Sequence, residues 1–174
     1  MSRSLHDTTV LTRPSPTSQT PGSFCFLPNQ QLRTSYAPLR PGAPQLFPGQ
    51  TAQLPIRAVP IDDGMYEVID GFKRLSGWRE QGHILIPVVL EAPGSPAEHK
   101  RLLLLANSPP RTLTALDEAR VVCSLKNEDG LSAKAIARQL GRKTQWVARR
   151  VDIGTQLSPM AEEKLARGAA AVSR

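Results

Sequence analysis

Between Leu131 and Val151 the chain carries Lys134, Arg138, Arg142, Lys143, Arg149 and Arg150 and not one acidic residue. A cluster of that kind suits a polyphosphate backbone, and binding through it would be strongly salt-dependent because each neutralised phosphate releases counterions. Interleaved polar residues add a means of reading sequence. Lys143, Thr144, Gln145, Ala148 and Arg149 fall where side chains can reach base edges, and by donor and acceptor pattern Gln145 suits adenine and Arg149 suits guanine. Lys134, Arg138, Arg142 and Arg150 suit phosphates. The same cations also describe an ordinary solvated face opposite an apolar one. A second group, Lys73 and Arg74, directly follows Gly71. A helix starting there would aim backbone N–H groups at an anion with two cations beside them. From spacing alone, a strand-to-helix turn with two solvated cations fits equally.

The elements that would position these residues are legible. Ser132 can cap a helix with Leu131, Ala135, Ile136 and Leu140 on its apolar face, and Gly141 permits the positive φ of a sharp exit. A second helix from about Thr144 presents Trp146, Val147 and Val151 to the first, so the pair predicts a helix-turn-helix. Upstream, Leu54–Ile61 is strand-like, Asp62-Asp-Gly64 has turn chemistry, and Met65–Asp70 reads as the returning strand. Residues 72–81 predict a helix with Phe72, Leu75 and Trp78 inward, and Ile84–Glu91 a third strand. Further helices are predicted over 97–106, from Thr114 to Asn127, and from Ser158-Pro159 onward. Residues 1–48 hold eight of the sixteen prolines and predict a mostly disordered tail, with Phe24–Arg33 as an apolar exception that could pin a short extended segment to the domain.

The composition sets outer limits. The 174 residues are 40% hydrophobic, enough for one medium domain or two small ones. A net charge of +7 favours a nucleic-acid or anionic-surface partner. No apolar run approaches the roughly 20 residues that span a bilayer, and the start Met-Ser-Arg-Ser-Leu-His-Asp lacks a secretion signal, so a cytoplasmic setting without a membrane partner is expected. Cys25 and Cys123 stand far apart without clustered histidines, which indicates neither a zinc site nor a disulfide framework.

Three stretches, in order, resemble the ParB family of chromosome and plasmid partition proteins. Tyr66-Glu-Val-Ile-Asp-Gly-Phe-Lys-Arg74 resembles the family's Y-E-(I/L)-I-x-G-E-R-R box, followed by Gly82 and Ile86-Pro-Val88 as in G-x-x-x-I-P-V. Leu113-Thr-Ala-Leu-Asp-Glu-Ala119 resembles L-x-P-(I/L)-E-E-A, and residues 130–151 resemble the family's helix-turn-helix. The resemblance implies an α+β fold: a small ParB/sulfiredoxin-like N-terminal domain over 49–107, after the tail 1–48, then an all-helical helix-turn-helix domain over 112–174. It also implies CTP with Mg2+ at the N-terminal domain, nucleotide-driven homodimer formation through it, and double-stranded DNA at the later helices. By position, Gly71, Lys73, Arg74 and Asn107 would bind the nucleotide. Phe72 and Ala106 stand where the family has glutamates, and Arg111 is displaced by one from the family's arginine, so a degenerate module that binds CTP and hydrolyses it slowly or not at all is expected. The sulfiredoxin G-C-H-R turn has no counterpart, because the turn here lacks cysteine.

The resulting expectation is a sequence-specific ParB-like DNA-binding protein with a role in partition or beside a mobile element, the latter suggested by the Gly-Phe-Lys-Arg and Trp-Val-x-Arg-Arg wording. A CTP hydrolase or nuclease centred on Lys73, Arg74 and Asn107, and a non-catalytic interaction adaptor, are the alternatives. The family continues into further helices and a dimerisation domain beyond Arg174. After Val151 the large apolar residues, Leu157, Met160 and Leu165 among them, are too few for an obligate interface, so the chain is expected to dimerise poorly and those three to pack on the two-helix unit.

Overall fold

A hairpin and one crossover form the centre of the molecule. In the computed structural model, which describes residues 20–40, 54–106 and 113–156, β3 (Ile56–Pro60) turns through a single 3-10 turn at Asp62–Gly64 into antiparallel β4 (Tyr66–Asp70). Helix α1 (Phe72–Glu80) then carries the chain back, so that β5 (Leu85–Leu90) lies parallel to β3. Leu75 and Trp78 of α1 are buried against Ile56, Ala58, Val68, Ile86, Val88 and Leu90 of the sheet.

The sheet has five strands in the order β1-β5-β3-β4-β2, and its two edges come from the segment before residue 40. Strand β1 (Phe24–Pro28) is antiparallel to β5, from Phe24 opposite Val89 to Pro28 opposite Leu85, and β2 (Leu32–Arg33) is parallel to β4. The apolar exception expected at Phe24–Arg33 thus forms the two edge strands, and the order extends over residues 20–40 despite the prolines there. β5 supplies an apolar antiparallel partner about sixty residues downstream, which no local pattern can reveal. Leu27 and Cys25 face the core, while Phe24 and Phe26 point outward in an edge-to-face pair with centroids 5.3 Å apart. Residues 1–19 and 41–53, Asn107, Arg111 and the stretch with Ser158-Pro159, Leu157, Met160 and Leu165 lie outside the described residues.

The helical half begins with α2 (Pro96–Leu105), started by a capping box in which Ser95 and Glu98 exchange hydrogen bonds. Leu103 and Leu104 of α2 pack into a core shared with Val121, Val122 and Leu125 of α3 (Ala115–Asn127), Ile136 and Leu140 of α4 (Ala133–Leu140) and Val147 of α5 (Thr144–Gln156). The helical core therefore draws on residues before position 107, and Tyr36 and Leu39 of the N-terminal segment pack on it too. Among the described residues no helix is long and apolar enough to cross a membrane.

His99 on α2 is 4% exposed, with Nδ1 3.4 Å from the Tyr36 hydroxyl and Nε2 buried without a hydrogen-bond partner. Burial pushes its pKa below the usual value, against opposing contributions from the Glu98 carboxylate and the Gly94 carbonyl. The unfolded chain thus takes up this proton first as pH falls, and stability declines through about pH 6.5 and below. We expect the urea midpoint to drop between pH 7.5 and 5.5, and His99→Leu to flatten that drop. An unchanged pH dependence would rule out His99 as its source.

Candidate nucleic-acid interface

The Ser132 hydroxyl accepts from the Ala135 N–H at 3.2 Å and starts α4; Gly141, at φ +63°, ends it, with the Arg142 N–H donating to the Ala137 carbonyl at 2.9 Å. Only a residue that tolerates the left-handed region closes a helix this tightly. Ile136 and Val147 are fully buried and Trp146 and Val151 partly so, which seals the inner faces of α4 and α5. Burial of Ile136 or Val147 contributes about 1.5–3 kcal/mol each, enough to hold two short helices in fixed register.

Sealing one face leaves the other for solvent. Lys134, Arg138, Arg142, Lys143, Thr144, Gln145, Ala148 and Arg149 are all exposed. Arg150 is the exception. It is half-buried, its Nε donating to Glu118 Oε2 of α3 at 2.6 Å, and its guanidinium lies over the Trp146 ring, 5.0 Å from the centroid. The Arg142 guanidinium lies 5.4 Å from the same centroid. Trp146, read from the sequence only as an inward apolar residue, therefore also carries two cations. The four-residue spacing of Arg142, Trp146 and Arg150 is the signal that could have revealed it.

The second candidate group sits at the far end of the sheet hairpin. Gly71 precedes α1 with φ +91°, and the helix then carries Lys73 and Arg74. Arg74 Nη1 donates to the carbonyls of Leu54 and Pro55 at 2.8 and 2.7 Å, and Nη2 to Asp70 Oδ2 at 3.1 Å. Its fork thus ties α1 to the entry of β3. Arg40, also missed by sequence reasoning, reaches the other oxygen of Asp70 at 3.8 Å. Burial lowers the Lys73 pKa and the neighbouring Arg40 cation lowers it further. Three of the five N–H groups of Arg74 are occupied. Its fork is therefore not wholly free to receive an anion. Nor do the described residues include any grouping of three His, Cys, Asp or Glu side chains able to hold a metal ion. The fourth expected ligand, Asn107, lies outside the described residues.

No protein-family model and no curated protein matches this chain. Solved structures do. A Pnob8-like ParB-N domain, 13% identical, covers 83% of this chain and 67% of its own with a TM-score of 0.52. The sheet module resembles the ParB-N fold. The C-terminally truncated chromosome-partitioning protein ParB from Caulobacter crescentus is also similar in two complexes. With CTP-gamma-S it is 18% identical over 87% of this chain and 92% of its own, with a TM-score of 0.41. With the centromeric parS site it is 18% identical over 83% and 78%, with a TM-score of 0.44. The likeness to the ParB-N domain concerns the α+β fold, a mixed sheet with helices.

Proposed function

We propose that the chain is a ParB-like DNA-binding protein whose α4–α5 unit, a helix-turn-helix, docks on duplex DNA. The observation that carries this reading is the division of the unit into a buried apolar face and an exposed face where Lys134, Arg138, Arg142, Lys143 and Arg149 stand with Thr144, Gln145 and Ala148. Such a surface meets phosphates first and offers Gln145 and Arg149 to base edges. Arg150, held by Glu118, plays a structural part before any nucleic acid arrives. A role in partition, or beside a mobile element, follows within the same reading.

A screen against random duplexes at two salt concentrations tests it. Lys134→Ala is expected to weaken every duplex alike and to lower the salt slope by about 1, whereas Arg149→Ala or Gln145→Ala costs about 1–3 kcal/mol on preferred sequences only. Equal losses on preferred and random DNA for all three would remove the base-reading claim. Binding that is absent, or indifferent to salt, would return the chain to the adaptor reading.

A nucleotide at Gly71, Lys73 and Arg74, with Asn107, is a second reading. It is favoured by Gly71 at the start of α1 with Lys73 and Arg74 in its first turn, where backbone N–H groups and cations attract an anion. Calorimetry with CTP and Mg2+ would register it as heat of binding without phosphate release, and turnover near 1 per second would instead favour the hydrolase.

A further inference from the structure

Two guanidiniums lie near one indole, Arg142 at 5.4 Å and Arg150 at 5.0 Å from the Trp146 centroid, and they differ in their partners. Arg150 is neutralised by Glu118, whose Oε2 lies 2.6 Å from its Nε, with both side chains largely buried at 20% and 16% exposure. Arg142 is exposed, and among the described residues no carboxylate pairs with it. An arginine lying on an aromatic face has surrendered much of its rotamer freedom before a ligand arrives, and its planar fork stays free at the edge. Resting on the DNA-binding reading above, we propose that Trp146 is a positioning residue that presents Arg142 as a bidentate clamp on a DNA phosphate, and that Glu118 withholds Arg150 from the same backbone.

Three consequences separate this arrangement from mere packing of Trp146. Removing the ring should matter only through Arg142, so the two losses should not add. The shape of the fork should matter and not its charge alone. Releasing Arg150 should add a phosphate contact where there was none.

The test measures duplex binding by the full chain across a salt series, with folding of each variant checked by circular dichroism. Arg142→Ala and Trp146→Leu should each weaken all duplexes by about three- to tenfold, and the double variant should be no weaker than Arg142→Ala alone. Trp146→Phe, which keeps a ring, should retain most of the affinity, and Arg142→Lys, which keeps the charge on an exposed site, should still lose about threefold. Glu118→Gln should tighten binding and steepen the salt slope by about 1. Additive losses in the double variant, full affinity in Arg142→Lys, or an unchanged slope in Glu118→Gln would each overturn the corresponding part of the clamp while leaving the DNA reading intact. Should Trp146→Leu fail to fold, the Trp146→Phe and Arg142→Lys arms decide the point. A wild-type chain that shows no salt-dependent duplex binding would overturn both.

Discussion

Gly71→Ala is expected to lower stability by about 3 kcal/mol, read as a fall in the urea midpoint at constant slope. Two costs combine. At φ +91° the backbone lies in the left-handed region, where a Cβ costs roughly 1–2 kcal/mol. The added carbon would also sit 2.6 Å from Ile56 Cγ2 and 2.9 Å from Arg74 Nη2. The arginine can swing away, at the expense of its bonds to Leu54 and Pro55. Ile56 cannot: it is fully buried in the central strand β3, and overpacking of such a site costs about 1–3 kcal/mol. Gly141→Ala is the internal control. Its φ of +63° carries the same backbone cost, but nothing lies within 4 Å of the added Cβ, so a loss of only about 1 kcal/mol is expected. Equal losses at the two glycines would mean that β3 yields to the new methyl and that the close approach of Gly71 to Ile56 has no energetic weight.

The contrast between those glycines parallels what could be read in advance. Gly141 was legible because its role is local: a cap at Ser132, one apolar stripe and a stop signal specify α4 with no reference to the rest of the chain. The hairpin β3–β4, the helix α1 and the strand β5 were legible for the same reason, each being a contiguous periodic run bounded by turn residues. Strand β1 was legible only as an apolar exception over Phe24–Arg33, and its place in the sheet was not, since its partner β5 lies about sixty residues downstream. At the candidate sites the residue types were legible and the pairings were not. Arg149 and Arg150 both read as nucleic-acid contacts in the sequence, one for a base and one for a phosphate; Glu118, more than thirty residues earlier, separates a solvent-exposed cation from one that holds α5 against α3. Likewise Arg74 reads as a phosphate ligand, and nothing in the sequence shows that the carbonyls of Leu54 and Pro55 take both hydrogens of its Nη1.

Lys100→Met is expected to destabilise the protein by about 2–4 kcal/mol even though methionine preserves the apolar stem. Lys100 on α2 is 3% exposed, and its Nζ lies 2.8 Å from Glu128 Oε2 and 2.7 Å from Asp129 Oδ2, both at the end of α3 where the chain turns toward α4. The Lys100 ammonium bonds both carboxylates, so its loss leaves two adjacent acids without their shared cation. Asp129, at 13% exposure, suffers more than Glu128, which at 66% can turn to water. Removing one member of a buried ion pair costs more than replacing the whole of it, which gives the decisive arm. Lys100→Met combined with Asp129→Asn should regain a large part of the loss, and Glu128→Gln alone should cost little. The acid side of the pH profile adds a check. The hydrogen bond from Lys100 holds the Glu128 carboxyl below its ordinary range, so its contribution is present above the unfolded value near 4.5 and is lost as pH falls through the folded one. Lys100→Met should reduce that acid-side decline, and a variant that keeps all of it would show that the lysine and Glu128 are neighbours without coupling. Because this contact joins α2 to the turn that leads into α4, its loss should also raise hydrogen exchange first at residues 128–131, ahead of the sheet.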